Sequence, residues 1–197
     1  MRSLLTVLIA ALVVSGCALS PQRIEVDPQV QVKASNVGHN RSIQVLGVDS
    51  RGKNEFGSRG GVYDETALLI PSNDIKAVIA DTVRNGLQSL GFNAFNPGGD
   101  ATTLEVRLEQ LDYIPEPGSV VNRVDLNLVL QAEARRGPTT HTGTYKSSVE
   151  HKTPFTPSLA QNRQMINDIL AKAIERLLQD PEMLAFLAGA DFPGDSE

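Results

Sequence analysis

The chain has 197 residues, a formal net charge of −5, 41% apolar residues and 21% charged residues. These proportions are typical of one globular domain with short extensions and exclude a disordered chain. The acidic balance also argues against a nucleic-acid partner, because binding to phosphates needs clustered Lys and Arg side chains.

The chain begins like a secretory signal peptide. Arg2 is followed by the eleven-residue, largely apolar stretch LLTVLIAALVV, and then by Ser15 and Gly16. Eleven residues make about 16 Å of helix, which is too short for a hydrocarbon core of about 30 Å. We therefore predict that residues 1–16 are a cleaved signal peptide and not a transmembrane anchor.

Cys17, the only cysteine of the chain, follows directly. Residues 14–17, VSGC, resemble the bacterial lipobox, which implies that diacylglycerol is attached to the Cys17 thiol and that the protein is cut before this residue. Several acyl chains would make membrane attachment effectively permanent. The position after the cysteine holds Ala18 and not Asp, which by the same resemblance implies sorting to the outer membrane. The alternative is an ordinary secretion signal in which the cysteine has no role.

Residues 17–22 are predicted to be a lipidated tether, which spans at most about 20 Å. The periplasmic domain is predicted to comprise residues 23–190. In its first segment, residues 23–32, apolar and polar side chains alternate, but Pro28 stands at an apolar position and cannot donate to a strand ladder. This segment is expected to be an edge strand or an extended arm.

Short strands and a loop are predicted next. Residues 42–49 and 65–70 have strand patterns, and the glycine-rich segment 50–61 between them is predicted to be a mobile loop. A helix then begins with Ser72 or Asn73 as its N-cap. It ends at Gly91, a residue that favours the left-handed conformation, and Phe92 is expected to fold back on its last turn.

Three strands and further helices complete the domain. Residues 104–109, 124–134 and 142–149 are predicted to form an antiparallel meander with one wet face. Ser158 and Gln161 fit a capping box at the start of a long helix, and Asp180 caps a short final helix.

The predicted fold class is α+β: a two-layer sandwich in which two amphipathic helices cover one face of a mainly antiparallel sheet. A βαβ unit at residues 68–108 would leave one parallel pair of strands. The closing residues 191–197 are predicted to be a loose acidic tail.

The sequence contains no clear catalytic or cofactor-binding motif. The three histidines, His39, His141 and His151, lack a neighbouring ligand at metal spacing and are interpreted as strand and loop residues. We predict no catalytic residue, no metal and no cofactor. Asp49 and Arg51, which flank the glycine-rich loop, and Arg59 within it are candidates for contact with a ligand or partner, although a solvated turn pair and plain loop flexibility are the simpler interpretations.

One face of the predicted sheet is rich in charge. It is interpreted as the solvated side of the sheet or, alternatively, as a platform for a partner. Its charged side chains are Glu105, Arg107, Glu109, Asp125 and Glu133.

Several motifs together resemble the YajG-like family of Gram-negative lipoproteins. They are the lipobox at Cys17, IEVDPQVQV at 24–32, VDSR at 48–51, LGF at 90–92 and LLQDPEMLAFL at 177–187. The resemblance implies no catalytic residues.

The predicted function is therefore that of a non-catalytic outer-membrane lipoprotein, held in the membrane by lipid on Cys17. Its periplasm-facing domain is predicted to bind an envelope protein, peptidoglycan or lipid. The alternatives are a lipid-anchored hydrolase and a purely structural envelope lipoprotein.

Overall fold

The computed structural model of the chain describes residues 20–62, 64–116 and 122–190. The predicted signal peptide, Cys17, Ala18 and the predicted tail 191–197 lie outside the described residues. Within the described ranges, seven strands form one sheet and three helices pack on it. The strands are β1 (Gln22–Ile24), β2 (Ile43–Asp49), β3 (Gly57–Ser58), β4 (Leu68–Pro71), β5 (Thr102–Glu116), β6 (Asn122–Arg136) and β7 (Thr139–Thr153). The helices are α1 (Ile75–Ser89), α2 (Leu159–Gln179) and α3 (Pro181–Leu187).

The sheet is built around the predicted antiparallel meander of β5, β6 and β7, and it has the order β1-β4-β3-β5-β6-β7. Strand β5 has β6 on one side and two partners on the other side. The first half of β5 lies parallel to β2, and Tyr113, further along β5, pairs with Gly57 of β3. The pairing between β5 and β6 shifts at Glu109, between Leu108 and Gln110, which makes a bulge. The parallel pair predicted for the βαβ unit 68–108 is therefore absent among the described residues, and β5 lies parallel to β2 instead. Strand β4 cannot pair with β5 because β3 lies between them.

One face of the sheet is buried under the helices. Helix α1 packs on β2, and α2 packs on β6 and β7. Alternate residues of the central strands point into this layer, as the period of two predicts; they include Leu104, Val106, Leu108, Leu126, Leu128 and Leu130. The other face, which we call the outer face, carries polar side chains. The predicted α+β fold class with helices on one face is confirmed. Among the described residues, no helix is both long and apolar enough to span a bilayer.

The helix ends agree closely with the sequence signals. Gly91 adopts φ +85° after α1, and the backbone N–H of buried Phe92 donates to Leu87 O at 3.0 Å. Ser158 and Gln161 form the predicted capping box of α2. Asp180 caps α3 through the N–H groups of its first turn.

The N-cap of α1 differs from the one predicted from the sequence. It is Asp74, whose carboxylate accepts from Lys76 N at 3.0 Å, and not Ser72 or Asn73. The reason is tertiary, because the Asn73 side chain is engaged by the N-terminal segment.

Residues 25–32 form an extended arm, and only Gln22–Ile24 are a strand, which pairs in parallel with β4. Side-chain amides replace the missing strand partner. Asn73 accepts from Val26 N and donates to Val26 O, both at 2.9 Å, while Asn167 accepts from Asp27 N at 2.8 Å. Ile24, Val26 and Pro28 are buried, so the alternation of the sequence reports burial and not a strand ladder.

The glycine-rich segment 50–61 does not lie free as a loop, which corrects the prediction of a mobile segment. Phe56 is fully buried in its middle. The N–H of Phe56 donates to Leu69 O, and its carbonyl accepts from Tyr113 N, each at 2.8 Å. Lys53 also pairs with Asp112 of β5 at 2.6 Å. One buried ring and the short strand β3 thus fix this segment along β5.

Candidate functional site

Asp49 and Arg51, two of the residues predicted to contact a ligand, bind each other. Arg51 donates Nε and Nη2 to the two carboxylate oxygens of Asp49, each at 2.8 Å, and Nη1 to Glu55 O at 3.2 Å. Its side chain is only 1% exposed, and its guanidinium stacks on Phe56 at 5.0 Å. Partial burial acts to raise the pKa of Asp49, but the bonds and charge of Arg51 outweigh it and hold that pKa below its usual value. The Asp49–Arg51 pair therefore holds the start of segment 50–61 in place through contacts within the protein.

The histidines lie in different settings. His39 is an exposed turn residue with φ +44°, His141 stacks on the Phe186 ring at 5.7 Å, and His151 lies at the far end of β7. Neither His39, His141 nor Asp49 lines the two clefts described below. Within the described parts of the chain, no three His, Cys, Asp or Glu side chains converge as a metal site would require.

The charges of the outer face largely neutralise one another. Arg107 pairs with Glu105 and donates to Gln131 Oε1 at 2.8 Å. Arg135 pairs with Glu133 in the same way along β6. Such pairs on an exposed surface contribute little stability, and they are typical of a solvated sheet face.

The two ends of the sheet differ, and we name them by their distance from the N-terminal segment. At the proximal end, Arg59 donates Nη2 to the backbone oxygen of Ser20 at 2.5 Å. At the distal end, Thr102 begins β5 and Arg136 ends β6. This contact fixes the first described residue to the domain, and in the sequence only Ala18 and Leu19 stand between Ser20 and Cys17.

A cleft of about 230 Å³, the proximal cleft, opens at the proximal end. Its lining residues include Arg59, Gly61, Tyr113, Arg123 and Thr156. The Nε of Arg59 is buried and has no hydrogen-bond partner among the described residues. Arg123, in contrast, is surrounded by carboxylates: it pairs with Glu116, with Asp125 at 3.6 Å and with Glu150 at 3.4 Å.

Tyr113 joins this cleft to the core. Its hydroxyl donates to Oδ1 of fully buried Asn162 at 2.9 Å, and Nδ2 of Asn162 donates to Gln22 Oε1 at 2.8 Å. Burial raises the pKa of Tyr113 to about 12, against the opposing charge of Arg59. The phenol is therefore a neutral structural donor at physiological pH and not an acid–base group.

Apolar side chains project into solvent at the rim of the proximal cleft. Val62 is 92% exposed and Phe155 is 79% exposed, and each is the chain neighbour of a lining residue, Gly61 and Thr156 respectively. Leu159, at the first turn of α2, is 47% exposed. None of these three residues was predicted from the sequence to contact a ligand or partner. A signal was present, since Val62 and Phe155 are lone apolar residues inside polar loop segments, but nothing local joins the two loops.

A second cleft, of about 370 Å³, lies at the distal end and is called the distal cleft. Arg41, Asp100 and Arg136 contribute charge to it. Arg136 donates to Phe186 O and Ala190 O, both at 3.0 Å, and stacks on the Phe186 ring at 4.9 Å. The distal cleft is polar and open, which suits a polar ligand or a peptide segment.

The model of a family described as "Uncharacterized lipoprotein" matches residues 28–188. No curated protein matches the chain.

Three solved structures are distantly similar over most of their length. A DUF330 protein from Xanthomonas campestris has 11% identity and a TM-score of 0.46, covering 87% of this chain and 96% of that one. A neuraminyllactose-binding hemagglutinin homolog from Helicobacter pylori has 9% identity and a TM-score of 0.47, covering 82% and 96%. Rare lipoprotein B from Shewanella oneidensis has 13% identity and a TM-score of 0.38, covering 69% and 91%.

Proposed function

The chain belongs to a family of uncharacterized lipoproteins, and from that membership we propose that it is an outer-membrane lipoprotein whose periplasmic domain binds another envelope component. Lipid on Cys17 holds the protein in the membrane. The observation that carries this proposal is the family match over residues 28–188 together with the lipobox-like residues 14–17 that precede it.

The position of the first described residues supports the attachment. Arg59 holds Ser20 at the proximal end, so a lipid on Cys17 leaves the domain close to the bilayer surface. Ala18, the residue after the cysteine, supports the outer membrane as the destination. The distal cleft then faces the periplasm, and its charged residues Arg41, Asp100 and Arg136 suit a polar partner such as an envelope protein or a peptidoglycan fragment.

Cys17→Ser tests the attachment. Without the thiol no thioether forms, so we expect full loss of labelling by radioactive fatty acid and accumulation of a soluble or uncleaved precursor. The matched control is the unchanged protein labelled in parallel. Fatty acid incorporated at the normal level by the Cys17→Ser variant would contradict the proposal.

Ala18→Asp tests the destination. We expect this variant to keep its fatty acid but to move from the outer-membrane to the inner-membrane fraction of a density gradient, whereas Ala18→Ser stays in the outer membrane. Inner-membrane location of the unchanged protein would contradict the outer-membrane assignment and leave lipid attachment intact.

Co-purification from crosslinked cells tests the binding. A reproducible partner supports the proposal, and its absence supports the purely structural alternative. The hydrolase alternative has little support, because Asp49 is held by Arg51 and the histidines line neither cleft.

A further inference from the structure

The proximal end carries an apolar surface that lipid attachment alone does not require. We define the proximal surface by Val62, Phe155 and Leu159 together with Arg59. Val62 and Phe155 are the two most exposed of the large hydrophobic side chains in the described parts of the chain. They are 93 positions apart in the chain, yet Gly61 and Thr156 beside them line one cleft. The fold thus brings exposed apolar side chains from two distant loops to one cleft, and an exposed apolar cluster of this kind is typical of an interaction surface.

The same surface includes Arg59, which contacts Ser20, the first described residue. Arg59 fixes Ser20 by a 2.5 Å hydrogen bond, and three residues from Ser20 to Cys17 reach at most about 10 Å. Ser20, which Arg59 of the proximal surface holds, therefore lies within about 10 Å of the lipid-bearing residue, while the distal cleft lies at the opposite end of the sheet. This step rests on the proposed function, because it requires lipid on Cys17.

The charge at this surface also fits a lipid headgroup. Among the described residues no carboxylate pairs with Arg59, and its buried Nε has no hydrogen-bond partner. Arg123, on the other side of the cleft, is already neutralised by Glu116, Asp125 and Glu150. A phospholipid interface satisfies a guanidinium that has no carboxylate partner and lies beside exposed apolar side chains. Its phosphates bind the cation, and its acyl chains cover the apolar side chains.

We propose that the proximal surface lies on the phospholipid leaflet that holds the Cys17 lipid. Val62 and Phe155 enter the boundary between headgroups and acyl chains, Leu159 lies at its edge, and the guanidinium of Arg59 faces a lipid phosphate. The domain is then held in a fixed orientation, because two contacts on either side of the proximal cleft add to the single lipid tether.

A single tryptophan tests this contact, since the chain contains none. The full lipoprotein with the substitution Phe155→Trp (F155W) is reconstituted in vesicles of phosphatidylethanolamine and phosphatidylglycerol. We expect its emission to shift to shorter wavelength and to fall by about half when the acyl chains are brominated. The matched control is F95W, which replaces an exposed phenylalanine near the distal cleft (51% exposed) and is expected to lose less than about a tenth of its emission.

Arg59 is tested in the F155W background. Arg59→Gln is expected to reduce the brominated-lipid quenching about twofold, and Arg59→Lys is expected to restore it, because an ammonium also binds phosphate. Arg41→Gln at the distal cleft is the control and is expected to change nothing. Equal quenching in the Arg59→Gln and Arg41→Gln variants would remove Arg59 from the proposal.

The outcomes separate the two proposals. If the protein floats with the vesicles and carries fatty acid but F155W is not quenched, the membrane contact is wrong and the lipid attachment stands. If the protein carries no fatty acid and does not float, the proposed function itself fails. A shift of the F155W emission that brominated lipid does not quench would place Phe155 against protein, a second copy or another partner, and would overturn the membrane contact.

Discussion

At the scale of single residues, the ion pair of Asp49 and Arg51 is the clearest case of a side-chain pair that shapes the molecule. Arg51 is almost fully buried, and its charge is compensated by both carboxylate oxygens of Asp49. It also donates to Glu55 O and stacks on Phe56, the ring that anchors segment 50–61. Removing the partner of a buried charge leaves that charge uncompensated, which costs more than the pair contributes.

We predict that Asp49→Asn lowers the free energy of unfolding by about 1–3 kcal/mol near pH 7, since the Arg51 guanidinium loses its counter-charge but keeps a hydrogen-bond acceptor. The pKa of Asp49 is depressed in the folded state. The stabilisation is therefore complete above the unfolded pKa of about 3.9 and is lost as the pH falls through the folded pKa. Urea unfolding over this range measures it.

The control for this variant is Glu105→Gln on the outer face, where the pair with Arg107 is partly exposed and the expected loss is below about 0.5 kcal/mol. A difference between Asp49→Asn and the unchanged protein that stays constant down to about pH 2 would contradict the assigned role of the charge.

At the scale of elements, the N-terminal arm shows how a segment without a strand partner is held. Its backbone groups need partners, because buried polar groups without hydrogen bonds are costly. Asn73 before α1 and Asn167 on α2 supply them. The Gln31 N–H is bonded in the same way by the Glu175 carboxylate at 2.8 Å. The arm thereby connects the two main helices.

We predict that the double variant Asn73→Ala/Asn167→Ala speeds amide hydrogen exchange at Val26 and Asp27 by about 10- to 100-fold, because each amide loses its acceptor. Exchange measured residue by residue by NMR tests this. Gln164→Ala, an exposed site on α2, is the control and is expected to leave these two amides unchanged. Unaltered exchange in the double variant would show that packing alone holds the arm.

At the scale of the whole molecule, the long strands separate the proximal cleft from the distal cleft. Strand β5 has 15 residues, so its ends lie roughly 45–50 Å apart at about 3.3 Å per residue. The proximal end presents Val62, Phe155 and Arg59, which face the membrane in the proposed orientation. The distal cleft lies at the opposite end of the same strands, and in the proposed orientation it faces away from the membrane.

We predict that a photo-crosslinking residue in place of Asp100, an exposed residue of the distal cleft, captures a reproducible protein or peptidoglycan adduct in intact cells. The same residue in place of Thr144 on the outer face is the control and is expected to give none, because the charges of that face are paired with one another. Mass spectrometry identifies the adducts. Adducts at position 144 with none at position 100 would make the outer face the platform and contradict a distal site.

Local patterns in the sequence were sufficient for the fold class and for most helix ends. The period of two in β5 and β6, the capping box of Ser158 and Gln161, and the stop at Gly91 each depend on residues within a few positions of one another. Such short-range hydrogen bonds and burial patterns act in the same way in many folds. The family membership could also be inferred, because its motifs are linear.

Only the tertiary structure decided what depends on distant partners. Asn73 is not the N-cap because Val26, 47 positions earlier, binds its side chain. Segment 50–61 is held against the sheet because the backbone of Phe56 forms hydrogen bonds with Leu69 of β4 and Tyr113 of β5. The proximal surface exists because two loops far apart in the chain line one cleft. No window of neighbouring residues contains these contacts, since they arise when packing of the whole chain brings distant backbone and side-chain groups within bonding distance.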